Sequence, residues 1–204
     1  MDAGIFGTPR PPMPQLAGGP AALVRGYWEA LRTDGGIPLR AAIDPRGLSG
    51  ALDRVFLAER IGAGLAQVRL SGTRVNELSG MDVRGLPLSC LFHPDARGEL
   101  SRVVEGVFKG PRGAELHLTA RKELGRPLLA ARLLLLPLLD RAGDCTLLLG
   151  CIDIGGEIGR APRRFDILRS VEERLLCAAD PAPEPAAQSA KAAQSYLRLV
   201  YSAD

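Results

Sequence analysis

Histidine and aromatic residues are scarce in this chain of 204 residues. It contains two histidines, His93 and His117, and aromatic residues make up 4% of the sequence. A Ser/His or Cys/His catalytic pair would have to use one of these two histidines. The Gly-x-Ser-x-Gly elbow that presents the nucleophile of many hydrolases is absent. We therefore expect a protein that is not an enzyme.

The cysteines lack the spacing of a metal or redox site. Cys90, Cys145, Cys151 and Cys177 form no Cys-x-x-Cys pair, and their surroundings show no zinc-ligand pattern. We expect reduced and mostly buried thiols, and no metal site.

Concentrated positive charge and long hydrophobic runs are also missing. The net charge is +3, and the basic residues are mostly arginines spread along the whole sequence, so nucleic-acid binding is not expected. The most apolar stretch, Leu128 to Leu139, contains Arg132 and is shorter than the roughly 20 residues of a membrane helix. The N-terminal residues lack the pattern of a signal peptide. The sequence thus predicts a cytoplasmic protein without membrane insertion.

Four segments differ in composition. Residues 1–19 are rich in proline and glycine, which predicts a flexible arm. Residues 20–155 carry the apolar periodicity of one folded domain that begins with a helix. Residues 156–179 are expected to form a helical extension, and residues 180–204 a Pro/Ala linker with a short tail helix.

Five runs have the alternating or continuous apolar pattern of strands in an antiparallel sheet. Two of them flank the Gly62-Ala63-Gly64 turn as a hairpin, and three form a later meander. The runs cover Val55 to Ile61, Leu65 to Leu70, Ala114 to Glu123, Pro127 to Leu138 and Cys145 to Ile154.

Helical spacing predicts one long helix and several shorter ones. Five apolar residues recur at i, i+3, i+4, i+7 and i+8 in the segment from Pro94 to Lys109, where the long helix is expected. A short helix is expected from Thr73 to Leu78. In-line apolar residues also predict an amphipathic helix from about Arg164 to Cys177.

The first helix has a strong apolar face made of Leu23, Tyr27, Trp28 and Leu31. The last two expected strands are apolar on both faces, so something must cover the outer side of the sheet. This helix covers the sheet of its own chain, forms a dimer interface, or does both. The four residues are therefore candidates for homodimer contacts.

Several local motifs resemble one known family. The order of two strands, short helices, a long helix and a three-stranded meander resembles the PAS fold. Asn76–Gly80 looks like the PAS helix that ends in a glycine turn, and Leu91–Arg97 looks like the entry to the long helix. Gly26–Arg32 and Ile43–Leu48 resemble a bacterial PAS-like family of unknown function, and the whole match spans residues 22–154.

This resemblance implies an α+β fold with a five-stranded antiparallel sheet. Short helices and one long helix would cover one face, and the N-terminal helix the other. Haem-binding members use a histidine on the long helix, and flavin photoreceptors carry an Asn-Cys-Arg motif. Both are absent, so we expect neither haem nor flavin. An unidentified small ligand held between the long helix and the sheet would contact Phe92, Val104, Phe108, Leu118 and Leu135.

The function implied is that of a sensory or regulatory module in bacterial signalling. Such a module binds a small ligand, partner proteins or both, and delivers its output in trans through signalling partners. A constitutive dimeric scaffold without a ligand is the alternative, since a leucine-rich interior packs shut easily. A small enzyme on a PAS-like fold is a weaker alternative, because it requires a carboxylate with a perturbed pKa in a pocket.

Overall fold

The computed structural model describes residues 19–110 and 112–175. The expected linker and tail helix over residues 180–204 lie outside the described residues, and so does the expected arm apart from Gly19.

Within the described residues, one antiparallel sheet is flanked by helices on both faces. Its six strands lie in the order β2-β1-β5-β4-β3-β6. The strands are β1 (Val55–Gly62), β2 (Leu65–Ser71), β3 (Arg112–Ala120), β4 (Leu129–Leu138), β5 (Leu147–Gly155) and β6 (Asp166–Arg174). The α-helices are α1 (Pro20–Ala30), α2 (Thr73–Ser79) and α3 (Arg97–Lys109). No helix in this part of the chain is long and apolar enough to cross a membrane.

Short 3₁₀ turns fill the connections between these elements. They cover Arg40–Ala42, Pro45–Leu48, Leu52–Arg54, Leu88–Leu91 and Pro94–Ala96. The last of them leads directly into α3, so the long helix expected from Pro94 begins as a 3₁₀ turn and becomes α-helical at Arg97.

The inner face of the sheet carries the larger hydrophobic core. On β3, Leu116 and Leu118 are fully buried, whereas Glu115 and His117 point to the opposite, partly exposed face, as strand alternation requires. The apolar stripe of α3 packs against this inner face together with α2. Burial of these side chains is the main force that holds α3 on the sheet.

The outer face of the sheet carries a second core, which α1 covers. Ala21, Val24 and Trp28 of α1 are buried in one cluster with residues of the central strands, including Leu136 and Leu149. This arrangement explains why β4 and β5 are apolar on both faces.

The amphipathic helix expected from Arg164 to Cys177, within the helical extension of residues 156–179, is wrong. Strand β6 occupies most of this segment and pairs with β3 along nearly its whole length. Of the three apolar residues expected in line on this helix, Leu168 and Val171 are exposed, whereas Leu175, just beyond the strand, is buried. Pairing with β6 satisfies backbone groups at an edge of β3 that would otherwise be open, and so the sheet has six strands rather than five.

The connection from β5 to β6 crosses the inner side of the molecule before β6 begins. The backbone amide of Arg163 donates to the carbonyl oxygen of Leu78 at 2.7 Å, and that of Phe165 donates to Leu91 at 2.9 Å. Phe165 is fully buried in the inner core. These contacts attach the connection to the segments around α2 and before α3.

Candidate functional site

The predicted interior ligand site is a packed core. Phe92, Val104, Phe108, Leu118 and Leu135 belong to the same inner cluster, and each is at most 5% exposed. Their place in one core agrees with the prediction, and their role in binding a ligand stays a prediction. Side chains this buried occupy the space between α3 and the sheet, where a ligand was expected.

An open cleft of about 290 Å³ lies instead at the β1–β2 side of the sheet. Its apolar lining combines buried residues of the outer core, such as Leu48 and Leu57, with Leu52 and Leu70. Leu52 and Leu70 are 42% and 51% exposed, which leaves apolar surface accessible to a ligand. We call this the edge cleft.

Polar groups stand among the lining residues of the edge cleft. Arg40 is half-buried, and no ion pair or hydrogen bond of its side chain is present within the described residues. The side-chain oxygen of Asn76 accepts hydrogen bonds from Ser71 Oγ at 2.9 Å and from the amide of Val83 at 3.2 Å. An apolar surface with a few fixed polar groups is the usual character of a small-molecule site.

The carboxylate that lines the edge cleft is already paired. The side chain of Arg84 donates to Asp82, and this hydrogen bond lowers the pKa of Asp82 below its usual value. Asp82 is therefore ionised at neutral pH, which leaves Arg40 as the unpaired charge in the lining.

The four residues proposed for dimer contacts differ in their exposure. Trp28 is fully buried, and Tyr27 and Leu31 are half-buried against the outer core. Leu23 is 41% exposed. Within its own chain α1 is thus the cover of the sheet, and its role in a homodimer stays a prediction.

Tyr27 also fixes the segment that follows α1. Its hydroxyl accepts a hydrogen bond from the amide of Asp44 at 2.7 Å and donates one to the Asp44 carbonyl at 3.1 Å. Its ring lies against Gly47, where an added Cβ would come within 2.1 Å of Tyr27 Cε2. Only glycine at position 47 lets the chain pass this closely.

The described thiols are protonated at neutral pH. Desolvation raises the pKa of Cys145 to about 11 and that of Cys151 to about 12, and it also raises the pKa of Cys90. Cys177 lies outside the described residues. Over residues 19–110 and 112–175, no group of three or more His, Cys, Asp or Glu side chains is placed to hold a metal ion.

Sequence reasoning missed the edge cleft. Its lining comes from segments that are far apart in the chain, between Arg40 and Leu149, and from exposed leucines that look ordinary in the sequence. Asn76 was noticed only as part of the motif that ends α2. A clue was present in the apolar residues Leu52 and Leu70, which lie outside the expected helix faces.

Comparisons with known proteins address the fold. A family model described as a PAS domain matches residues 19–153. Among solved structures, the light-state structure of the blue-light photoreceptor Aureochrome1 LOV is similar, with 11% sequence identity and a TM-score of 0.38. That similarity covers 55% of this chain and 88% of the photoreceptor chain. No curated protein matches the sequence.

Proposed function

Since the chain belongs to the PAS domain family and has its α+β fold, we propose that it is a non-catalytic sensory or regulatory module of bacterial signalling. The family match over residues 19–153 carries this proposal. In this role the protein works in the cytoplasm and acts in trans on signalling partner proteins. A small ligand shifts the population between two conformations that such a partner distinguishes.

The edge cleft is the proposed ligand site. Because the inner core is packed, a ligand site outside it is favoured. The accessible leucines of the cleft favour a ligand with an apolar part. The unpaired Arg40 favours a ligand that also carries a negative or strongly polar group. The proposed ligand is a small amphipathic molecule, and neither haem nor flavin is part of the proposal.

The position of the cleft suggests how a ligand would be sensed. The lining includes Ile43, Pro45 and Leu48, which lie in the same segment as Asp44. The backbone amide of Asp44 donates a hydrogen bond to the hydroxyl of Tyr27 on α1. A ligand that moves this segment would therefore act on α1, the cover of the outer face. Packed interfaces of this kind have discrete arrangements, which makes them suitable two-state elements.

The test uses anilinonaphthalene sulfonate, a fluorescent probe that is apolar and carries one negative charge. Leu70→Trp fills the cleft from an exposed position, and Ile61→Trp adds the same ring at a matched exposed position on β1, 52% exposed and outside the cleft lining. We expect probe binding to fall in Leu70→Trp and to stay unchanged in Ile61→Trp. Equal binding by both variants, at equal thermal stability, would exclude the cleft as the site.

Native mass spectrometry of the freshly purified chain is the second test. A reproducible mass excess that disappears on denaturation supports the sensor and identifies its ligand. The excess should be smaller in Leu70→Trp than in Ile61→Trp. An excess that is equal in both variants would place the ligand elsewhere in the protein.

A constitutive dimeric scaffold is the second candidate function, and the packed inner core favours it. In this case a second copy docks on the exposed side of α1, where Leu23 is the large apolar residue. Leu23→Glu should then convert a ligand-free dimer into a folded monomer, as measured by analytical ultracentrifugation. A dimer that persists in Leu23→Glu would argue against this interface.

The protonation states support a non-catalytic role. The described cysteines are protonated thiols and not thiolate nucleophiles. Hydrogen bonds lower the pKa of the carboxylates of Asp82, Glu105 and Asp140, whereas a carboxylic general acid at neutral pH needs a raised pKa.

A further inference from the structure

A second cavity, of about 280 Å³, lies beside the β5–β6 connection, away from the edge cleft. Its wall is formed by the end of β3, the β3–β4 hairpin, His93 before α3 and the connection itself. Its lining includes His93, Glu123 and the four arginines Arg121, Arg126, Arg163 and Arg164. We call it the arginine pocket, because four of its lining residues are arginines.

Arg163 is a buried cation without an acidic partner. Its side chain is among the largest that are fully buried, with the residue 2% exposed. The guanidinium donates to the carbonyl oxygens of Pro127 at 2.6 Å, of Arg121 at 3.4 Å and of Ala120 at 3.5 Å, and also to Ile158. These bonds engage Nη1 and Nη2 but not Nε, and their acceptors are all neutral carbonyls, so no carboxylate is bonded to this positive charge within the described residues.

The other charges of the pocket do not cancel this one. Arg121 forms an ion pair with Asp166 at 2.9 Å, and Arg126 forms one with Glu123 at 2.5 Å. Arg164 is exposed, and its side chain has no ion pair or hydrogen bond within the described residues. The lining therefore holds two arginines, Arg163 and Arg164, in excess over its paired charges.

The electrostatic surroundings of Arg163 favour the binding of an anion. Desolvation and the nearby charge of Arg126 lower the pKa of Arg163, and the smaller opposite effect of Glu123 does not offset them. A guanidinium stays protonated in proteins despite such effects, so the site keeps a desolvated positive charge. An anion that enters from the open side at Arg164 would relieve this cost.

We propose that the arginine pocket binds a small phosphate-bearing molecule, whose oxyanion is held between Arg163 and Arg164 with His93 as a further hydrogen-bonding group. Arginine presents several N–H donors in one plane, which suits the oxygens of phosphate. The volume accommodates a phosphate group with a small organic substituent. Free phosphate and a phosphate monoester share this chemistry. The site is separate from the edge cleft and does not depend on a ligand there.

The test is isothermal titration of the full chain with inorganic phosphate and, separately, with glycerol phosphate, at constant ionic strength. We expect saturable binding to one site. Arg164→Gln removes one charge-assisted contact and should weaken binding about tenfold or more. Because Arg164 is exposed and unpaired, this variant is expected to fold normally. Tighter binding of glycerol phosphate than of phosphate would identify a monoester as the ligand class.

Arg169→Gln is the matched control, because it removes one exposed arginine that lies outside both cavities and changes the net charge equally. Like Arg164, Arg169 has no side-chain ion pair or hydrogen bond within the described residues. Phosphate affinity should be unchanged in this control. Equal weakening by Arg169→Gln and Arg164→Gln, or titration without saturation, would overturn the proposal.

Protein NMR is a second test, because it separates binding at this site from a general effect of charge. Phosphate should shift backbone amide signals of residues 120–126 and 158–165 selectively, and Arg164→Gln should reduce these shifts. Shifts spread evenly over exposed arginines would contradict the site. Leu70→Trp should retain phosphate binding, so that failure of the edge cleft and failure of the arginine pocket are distinguishable.

Discussion

The indole Nε1 of Trp28 donates a hydrogen bond to the carbonyl oxygen of Pro137 at 2.9 Å, and both residues are buried. This bond joins α1 to β4 at the centre of the outer core. The guanidinium of Arg32 lies over the Trp28 ring, 5.4 Å from its centre, in a cation–π contact. Helix α1 is therefore held on the sheet by a specific hydrogen bond as well as by hydrophobic packing.

We predict that Trp28→Phe lowers the free energy of unfolding by about 1–3 kcal/mol, because it leaves the buried carbonyl of Pro137 unpaired. Trp28→Ala should cost about 3–5 kcal/mol, because it also opens a cavity. Urea unfolding followed by far-UV circular dichroism measures both. As a control on the same helix, Leu23→Ala should change stability by about 0.5 kcal/mol or less. A Trp28→Ala variant as stable as Leu23→Ala would contradict the intrachain role of α1.

Gly150 on β5 supports the ring of Phe56 on the neighbouring strand β1. The two residues are register partners, and a Cβ at position 150 would lie 2.1 Å from Phe56 Cζ. Gly150→Ala should therefore destabilise the protein by about 1–3 kcal/mol through overpacking. Addition of Phe56→Leu should recover part of that loss, as a double-mutant cycle with urea unfolding would show.

Gly98 on α3 provides the contrast to Gly150, since nothing lies within 4 Å of an added Cβ there. Gly98→Ala should stabilise the protein by about 0.4–1 kcal/mol. If Gly98→Ala lowers stability, or if Gly150→Ala leaves it unchanged, the space around each glycine does not determine how the substitution changes stability.

Glu105 on α3 gives the stability a defined pH dependence. Its carboxylate accepts a hydrogen bond from the amide of Gly64 at 2.7 Å, which is the main reason that its pKa lies below the usual 4.5. A lowered pKa contributes stability above pH 4.5, and that contribution is lost as pH falls through the folded-state pKa. Glu105→Gln should therefore be less stable at pH 7, with a smaller loss of stability on acidification, as measured by thermal unfolding from pH 7 to 3.

The exposed Glu77 on α2 is the control for this experiment. It forms an ion pair with Arg74 three residues away, and exposed pairs of this kind contribute little. Glu77→Gln should therefore follow the wild-type profile. An identical profile for Glu105→Gln and the wild type would show that the Gly64 contact does not stabilise the α3 packing.

The raised pKa values of the thiols predict slow reaction with a thiol reagent at pH 8. In a Cys177→Ser background, the folded protein should react much more slowly than the same protein in urea, with Cys151 the slowest of the three. A fast reacting thiol in the folded state would reveal a thiolate and reopen an enzymatic function.

Much of the fold could be predicted, because its elements follow simple periodicity. The hairpin around Gly62–Gly64, the helix entered at Pro94 and the meander each carry one consistent pattern over their length. Strand β6 could not be predicted in this way. The few apolar residues of β6 fit a helical spacing. Its conformation is determined by pairing with the open edge of β3, which is distant in the sequence.

The candidate sites were less predictable than the fold. Phe108 and Leu135 lie in the same core, as expected, but a sequence pattern does not tell a packed interior from a hollow one. Arg163 was unremarkable in the sequence, because arginine is usually exposed. Its burial depends on carbonyl oxygens of the β3–β4 hairpin, which tertiary folding alone brings to it.

The position of β6 at the end of the sheet also affects how the protein behaves at high concentration. Within residues 19–110 and 112–175, no strand pairs with its far side. Five of its nine residues are charged, namely Asp166, Arg169, Glu172, Glu173 and Arg174. Charges at an open edge oppose the addition of a foreign strand. The strand that closes β3 thereby also disfavours strand addition at this end of the sheet.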